Sequence, residues 1–148
     1  MPSTYVSLYC HIVFSTKSRG ACIREIWRER LHSYLGGILR VLNCVAEQIG
    51  GTSDHVHVLA SLLATHCLAD VVRDLKACSS KWVHQVVGNP MFAWQEGYGA
   101  FSVSRFQIED VKRYIRIQEE HHRKKTFQEE YLDLLRESGI EFDERFLW

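Results

Sequence analysis

Two histidines separated by one residue, His55 and His57, lie in an alternating apolar segment that predicts a β-strand over residues 55–63. Successive side chains of a strand point to opposite faces of its sheet, so both imidazoles are expected on one face. Val56 and Val58 should then pack into the core on the other face. Two neighbouring imidazoles can bind one divalent metal ion, although a purely structural role for the pair stays open.

A second pair of polar side chains, Tyr114 and Gln118, is spaced by four residues and therefore lies one turn apart on a predicted helix. At about 100° per residue, Ile108, Val111 and Ile115 define the buried side of that helix. Gln118 falls near the middle of this side and Tyr114 at its edge. A buried amide without partners costs about 1–3 kcal/mol, so Gln118 needs a hydrogen bond or a metal ion. The tyrosine could instead be a packing aromatic.

Together these residues would form a divalent-metal site with a nucleophile beside it. Mixed nitrogen and oxygen ligands suit Mg²⁺ or Mn²⁺ bound with a substrate phosphate better than a structural zinc ion. A free phenol is a poor nucleophile because its pKa is about 10. A phosphodiester held by a metal ion can still be attacked, since the ion neutralises oxygen charge. His122 lies one turn beyond Gln118 and could compete with it as a ligand.

The elements that must position these residues follow from hydrophobic periodicity. Strands are predicted over residues 5–14, 43–49, 55–63 and 94–103, and helices over 23–42, 67–87, 104–124 and 127–138. Capping-box patterns, Ser104 with Gln107 and Thr126 with Glu129, mark the last two helix starts. This order predicts an α+β fold, a ferredoxin- or RRM-like split βαβ with a mainly antiparallel sheet and helices on one face. The other face is left for a ligand, a partner or the C-terminal helices that carry the tyrosine. His11 shares this face, and we expect it to be a hydrogen-bonded strand histidine.

Composition limits the class of protein. The 148 residues are 46% hydrophobic, which fits one domain and excludes a disordered chain. We divide this domain, residues 1–148, into a catalytic body over 1–125 and an acidic helix and tail over 126–148. No run approaches the roughly 18 apolar residues of a membrane span, and no secretory signal begins the chain, so a cytoplasmic location is expected. The five cysteines lack a Cys-x-x-Cys pair, which argues against a disulfide framework or a thiolate zinc site.

Charge is unevenly distributed along the chain. Residues 126–148 carry seven acidic and two basic side chains, so the body carries a net charge of +5 although the whole chain is neutral. A polyanion partner is therefore not excluded. Candidate phosphate contacts, each of which could also be solvated surface, are Lys17, Arg19, Lys76, Lys81, Lys112 and Arg113. Trp94 and Tyr98 could stack on unpaired bases or belong to the core.

Five segments, in order and spacing, resemble the single-tyrosine HUH transposases, in which HUH stands for His-hydrophobe-His. They are HIVFSTKSR (11–19), DHVHVL (54–59), LKACSSKWV (75–83), WQEGYGAFSV (94–103) and YIRIQ (114–118). These enzymes belong to small bacterial and archaeal insertion sequences, and their relatives include the REP-associated tyrosine transposases. The resemblance covers about residues 1–125.

The resemblance implies metal-dependent cleavage and rejoining of single-stranded DNA through a 5′-phosphotyrosine intermediate, with a hairpin recognised near the element end. It implies a homodimer in which the tyrosine helix of one subunit commonly completes the histidine site of the other. His55, His57 and Gln118 would bind Mg²⁺ or Mn²⁺, Tyr114 would be the nucleophile, and Asp54 would support the site. The family often has Asn before the glutamine, whereas this chain has an isoleucine that should point away from the site.

Two other classes of function stay open. The chain could be a non-catalytic nucleic-acid-binding regulator derived from a transposase, which would bind DNA without needing metal. It could also be a small metal hydrolase that uses an activated water, in which case the tyrosine would be dispensable.

Overall fold

The chain folds as a four-stranded antiparallel sheet with helices on both faces. The computed structural model describes residues 3–148, apart from the side chain of Arg19. Its elements are β1 (Leu8–Ser15), α1 (Glu25–Val41), β2 (Val45–Gly51), β3 (His55–Leu62), α2 (Leu68–Trp82), β4 (Gly99–Val103), α3 (Ile108–Arg116), α4 (Gln118–His121) and α5 (Phe127–Glu137). The strand order is β2-β3-β1-β4, which is the order of the split βαβ plan. The predicted fold class is therefore confirmed.

The two faces of the sheet bury different residues because side chains alternate along each strand. Ile12 and Phe14 of β1 pack with Val56 and Val58 of β3 in the main core, which α1 and α2 cover. The opposite face carries the histidines of β3, and apolar side chains of α3 and α5 pack against it in two smaller clusters. The C-terminal helices thus occupy the face that the sequence left open.

Strand register places a third histidine beside the predicted pair. Val13 of β1 pairs with His57 of β3, and Ser15 pairs with His55. His11 is two residues from Val13, so it lies on the same face as a diagonal neighbour of His57.

Glycines let the helices approach the histidine face closely. A Cβ atom on Gly50 of β2 would lie 2.5 Å from the Ile115 carbonyl oxygen of α3, and one on Gly99 of β4 would lie 2.8 Å from Cε1 of Tyr131 on α5. Side chains at these two positions would push α3 and α5 away from the sheet.

The predicted strand over 94–103 is too long. Only Gly99–Val103 pairs as a strand, and Trp94 forms a single bridge with Thr16. Between them, the carbonyl oxygens of Gln95, Glu96 and Gly97 all accept hydrogen bonds from Nζ of Lys76. In a β-strand, successive carbonyl groups point alternately to the two sides of the strand. Three successive carbonyls that all point at one ammonium group therefore cannot belong to a regular strand.

The single helix predicted over 104–124 is also wrong, because α3 ends at Arg116 and α4 begins at Gln118. The side-chain Nε2 of Gln118 donates to the Tyr114 carbonyl at 3.1 Å, an oxygen that an unbroken helix would offer to a backbone N–H. The predicted cap at Thr126 is confirmed, since its hydroxyl accepts from the Glu129 N–H. None of the helices within residues 3–148 combines the length and apolar character needed to cross a lipid bilayer.

Candidate metal and tyrosine site

Polar side chains from three elements and one turn converge on the histidine face. His55 and His57 of β3 are fully buried, and Gln118 of α4 is 1% exposed. His122, directly after α4, and Glu130 of α5 join them. Ligand atoms of the three histidines and Glu130 lie within 4.8 Å of one another, so this cluster could hold a metal ion.

Hydrogen bonding fixes the orientation of the His55 ring. Its Nδ1 lies 2.7 Å from Oδ1 of Asp54, the residue expected to support the site. Burial would raise the pKa of Asp54, but the hydrogen bonds from His55 and Thr52 and the nearby imidazole charges together outweigh this effect and lower the pKa. The ionised carboxylate can only accept, so Nδ1 donates and Nε2 keeps its lone pair. That lone pair faces Oε1 of Gln118 at 3.1 Å.

The His122 ring is held in the same way. Its Nδ1 donates to the Lys125 carbonyl at 2.8 Å, and its Nε2 lies 3.0 Å from Oε1 of Gln118 and 3.1 Å from Oε2 of Glu130. In a neutral His122, the lone pair of Nε2 would therefore point at Oε1 of Gln118 and Oε2 of Glu130, which are both acceptors. Burial alone would lower the pKa of His122, but the Glu130 carboxylate outweighs it and raises that pKa. The cluster thus attracts a cation, whether a proton or a metal ion.

The carboxylate of Glu130 lies close to imidazole nitrogens of the cluster without ideal hydrogen-bond geometry. Its Oε1 lies 2.7 Å from Nε2 of His57, yet neither carboxylate oxygen nor this Nε2 meets hydrogen-bond geometry with any atom of residues 3–148. Burial would raise the pKa of Glu130, but His122 and His57 outweigh it and hold the pKa below its usual range. A buried, ionised carboxylate is costly unless a nearby cation, either a protonated imidazole or a metal ion, compensates its charge.

The protonation states also suit a metal ion, because metals bind ionised carboxylates and neutral imidazoles. Burial lowers the pKa of His57 to about 4, so His57 is neutral near pH 7. Imidazole nitrogens, a carboxylate and an amide oxygen form a donor set that suits a divalent ion. The residues present therefore fit the metal that the sequence predicted.

Tyr114 lies against this cluster within the same chain. Its ring centroid is 5.6 Å from that of His57 and 6.1 Å from that of His11. Burial, followed by the Glu130 charge, raises the pKa of the phenol above its ordinary value. The tyrosine and His11 also line a cavity of about 250 Å³, whose walls include Glu130 and Asp133.

The predicted phosphate contacts are scattered over the molecule. Lys17, Lys81 and Arg113 are exposed, whereas Lys76 donates to three carbonyls and burial lowers its pKa to about 8. Nζ of Lys112 lies 3.6 Å from a carboxylate oxygen of Glu47. The side chain of Arg19 lies outside the described residues.

The aromatic candidates for base stacking belong to the core side of the sheet. Trp94 is buried and donates to Oγ of Ser79, and Tyr98 is partly buried against the same cluster. Ile117, expected to point away from the site, is 44% exposed.

Sequence reasoning assigned no role to Glu130, which fell in the acidic tail. One signal was available. The buried residues of α5, namely Phe127, Tyr131 and Leu135, share a helix face that includes this carboxylate. His122 was expected only as a competitor of Gln118, and the structure brings both into one cluster.

Comparison with known proteins gives one family, and the solved structures similar to this chain include a candidate transposase and a REP-associated tyrosine transposase. Residues 4–118 match the family described as transposase IS200-like. A candidate transposase from Deinococcus radiodurans R1 superposes with a TM-score of 0.65 at 21% identity, covering 80% of this chain and 95% of that one. A REP-associated tyrosine transposase bound to a REP hairpin superposes with a TM-score of 0.57 at 13% identity, covering 79% and 70%. No curated protein matches the chain. The matched range includes Tyr114 and Gln118 but stops before His122 and Glu130.

Proposed function

Because the chain belongs to the IS200-like transposase family, we propose that it is a single-tyrosine transposase that cleaves and rejoins single-stranded DNA with a divalent metal ion. The observation that carries the proposal is the convergence of His55, His57 and Gln118, with Tyr114 against them. One structural relative is bound to a REP hairpin, and we extend a hairpin-bearing substrate to this chain as part of the proposal.

His55, His57, His122 and Glu130 would hold the metal ion, together with the amide oxygen of Gln118. When bound, such an ion neutralises charge on a phosphate and stabilises the leaving oxygen. Three imidazoles suit a transition ion better than Mg²⁺, which prefers oxygen ligands. We therefore propose that Mn²⁺ binds more tightly than Mg²⁺.

Tyr114 would act as the nucleophile. A bond forms between its phenolic oxygen and the phosphorus, the bond from phosphorus to the 3′ oxygen breaks, and the strand is left with a free 3′-hydroxyl. The phenol gives up its proton in this step, and the 3′ oxygen gains one. Burial and then the Glu130 charge raise the pKa of the phenol, so the proton is lost more readily once the Glu130 charge is neutralised. Attack by a 3′-hydroxyl on the phosphotyrosine reverses the step and rejoins the ends.

The arrangement supports a site that is complete within one protomer. The ring centroids of Tyr114 and His57 of the same chain are 5.6 Å apart, so a partner's tyrosine is not needed to bring these groups together. A homodimer stays a prediction, and sedimentation at micromolar concentration tests it separately from cleavage.

The test is capture of the covalent intermediate. The protein is incubated with Mn²⁺ and labelled single strands that cover the DNA flanking its gene. A label at the 3′ end should remain on the protein after denaturation, and a label at the 5′ end should be released on a fragment with a 3′-hydroxyl. Tyr114→Phe should abolish the adduct. Tyr34→Phe, which alters a ring stacked on Trp82, should retain it.

Other outcomes identify the alternatives. Cleavage that survives in Tyr114→Phe would assign the activity to a hydrolase that uses water. Binding that resists EDTA, with no cleavage of any flanking strand, would assign the chain to a non-catalytic regulator.

A further inference from the structure

His57 differs from the other two imidazoles of the cluster in the partner of its outer nitrogen. Nδ1 of His55 donates to a carboxylate and Nδ1 of His122 to a backbone carbonyl, and both partners can only accept. Nδ1 of His57 instead lies 2.8 Å from Nε2 of His11 on β1. Their rings are stacked, with centroids 5.0 Å apart.

A hydrogen bond between two neutral imidazoles has two possible directions. If His57 donates from Nδ1, its Nε2 keeps a lone pair that faces Glu130 and the rest of the cluster. If His11 donates from Nε2, the proton of His57 lies on Nε2, and this nitrogen cannot bind a metal ion. The direction of this one bond therefore decides whether the third imidazole is a ligand.

We propose that His11 is a positioning residue of the metal site, which accepts the Nδ1 proton of His57 and so directs the Nε2 lone pair of His57 at the metal ion. The inference rests on the metal site of the proposed function. It gives all three imidazoles the same arrangement, with an outer acceptor that fixes the tautomer, as ligating histidines generally have.

The surroundings of His11 explain why this acceptor is an imidazole. The residue is 4% exposed, and its ring centroid lies 6.1 Å from that of Phe101 and 6.1 Å from that of Tyr114. A carboxylate in this position would place a second negative charge beside the phenol and further oppose its ionisation. A neutral imidazole accepts the proton without adding charge.

The direct test uses the wild-type chain. Uniformly ¹⁵N-labelled protein is loaded with Zn²⁺, which is diamagnetic and accepts imidazole ligands, and long-range ¹H–¹⁵N correlation assigns the protonated nitrogen of each ring. We expect the proton of His57 on Nδ1 and that of His11 on its own Nδ1. A proton on Nε2 of His11 in the loaded protein would overturn the inference.

Variants test the same point through affinity. His11→Phe keeps a ring but removes the acceptor, and should weaken Mn²⁺ binding about 10–100-fold, as expected for loss of a ligand's outer partner. His11→Gln restores an acceptor and should recover most of the affinity. The control His84→Phe removes a histidine hydrogen bond to the Phe92 carbonyl, after α2, and should bind Mn²⁺ like the wild type.

The outcomes separate the two proposals. If the wild-type chain binds neither Mn²⁺ nor Zn²⁺, the metal site itself is wrong. If the wild type binds Mn²⁺ and His11→Phe binds it equally well, the metal site stands and the role of His11 is wrong. Circular dichroism confirms that each variant is folded, and the NMR measurement decides the question if the His11 variants do not fold.

Discussion

Oε1 of Glu130 lies 2.7 Å from Nε2 of His57, which joins the acidic C-terminal helix to the central histidine strand. The contact places a negative charge at the point where the imidazole lone pairs converge. Of the two residues, His57 lies within residues 4–118, the part of the chain that matches the family, and Glu130 lies beyond it. The acidic helix therefore adds to the candidate site a carboxylate that could bind a metal ion and that lies outside residues 4–118.

Replacing this carboxylate should weaken metal binding. Glu130→Gln keeps the size of the side chain but removes the charge that faces four imidazoles, those of His55, His57, His121 and His122. Because Glu130 is a candidate ligand, Mn²⁺ affinity should fall by more than the roughly 10–100-fold typical of an outer partner. Isothermal titration measures the change. Glu129→Gln, on the exposed side of the same helix, is the control, and equal affinities of the two variants would contradict a ligand role.

The sequence predicted those parts of the site that depend on local periodicity. Alternation along β3 placed His55 and His57 on one face, and helical spacing placed Gln118 on a buried side. The partners of these residues depend on which distant segments meet. The bond between His11 and His57 follows from the pairing of β1 with β3, and Glu130 reaches the site only because α5 packs on the sheet. Neither can be read from spacing within one element.

The same limit explains the errors at element ends. The break after Arg116 depends on the Gln118 side chain, whose Nε2 donates to the Tyr114 carbonyl while its Oε1 faces imidazoles of the cluster. The strand before Gly99 is lost because Lys76 gathers three carbonyls. In each case the hydrophobic periodicity predicted a longer helix or strand, and a hydrogen bond from one side chain ends that element earlier.

Close approach of α3 should depend on the absence of a side chain at Gly50. In Gly50→Ala the new Cβ would meet the Ile115 carbonyl oxygen at 2.5 Å, so α3 must shift, and overpacking of this kind costs about 1–3 kcal/mol. Metal affinity should fall as well, since Gln118 lies two residues after the end of α3. Urea denaturation and Mn²⁺ titration measure the two effects.

Gly37→Ala is the matched control for this substitution. It lies inside α1 with no atom within 4 Å of the new Cβ, so it should raise the free energy of unfolding by about 0.5–1 kcal/mol. If Gly50→Ala is as stable and binds Mn²⁺ as well as Gly37→Ala, close packing of α3 does not position the site.

Two lysines predicted as phosphate contacts should respond differently to removal of charge. Lys76→Met leaves three carbonyls without their common donor and should lower the free energy of unfolding by about 2 kcal/mol. Lys17→Met, at an exposed position, should change it by less than about 0.5 kcal/mol. If Lys17 contacts a phosphate, its loss should reduce the salt dependence of single-strand binding by about 0.7 in the logarithmic slope. Equal stability of the two variants would contradict a structural role for Lys76.

Acid should destabilise the metal-free protein through its buried histidines. Burial lowers the pKa of His57 and that of His32 to about 4, and the pKa of His11 to about 3, whereas all three titrate near 6.5 in an unfolded chain. Between about pH 6.5 and pH 4 the unfolded chain therefore binds protons that the folded chain does not. The free energy of unfolding should fall with pH by about 1.4 kcal/mol per unit for each group.

Other groups of the site do not account for a loss in this window. His122 has a raised pKa, so it is protonated in both the folded and the unfolded chain below about pH 6.5. The free energy of unfolding that this raised pKa contributes is lost only as the pH rises through the pKa of the folded state. Glu130 has a lowered pKa and contributes to acid sensitivity only below the usual carboxylate range. Urea denaturation in EDTA at pH 7, 6, 5 and 4.5 measures the slope. His11→Phe removes one of the three titrating histidines and should reduce the slope by about a third, whereas an unchanged slope would show that His11 does not titrate on unfolding.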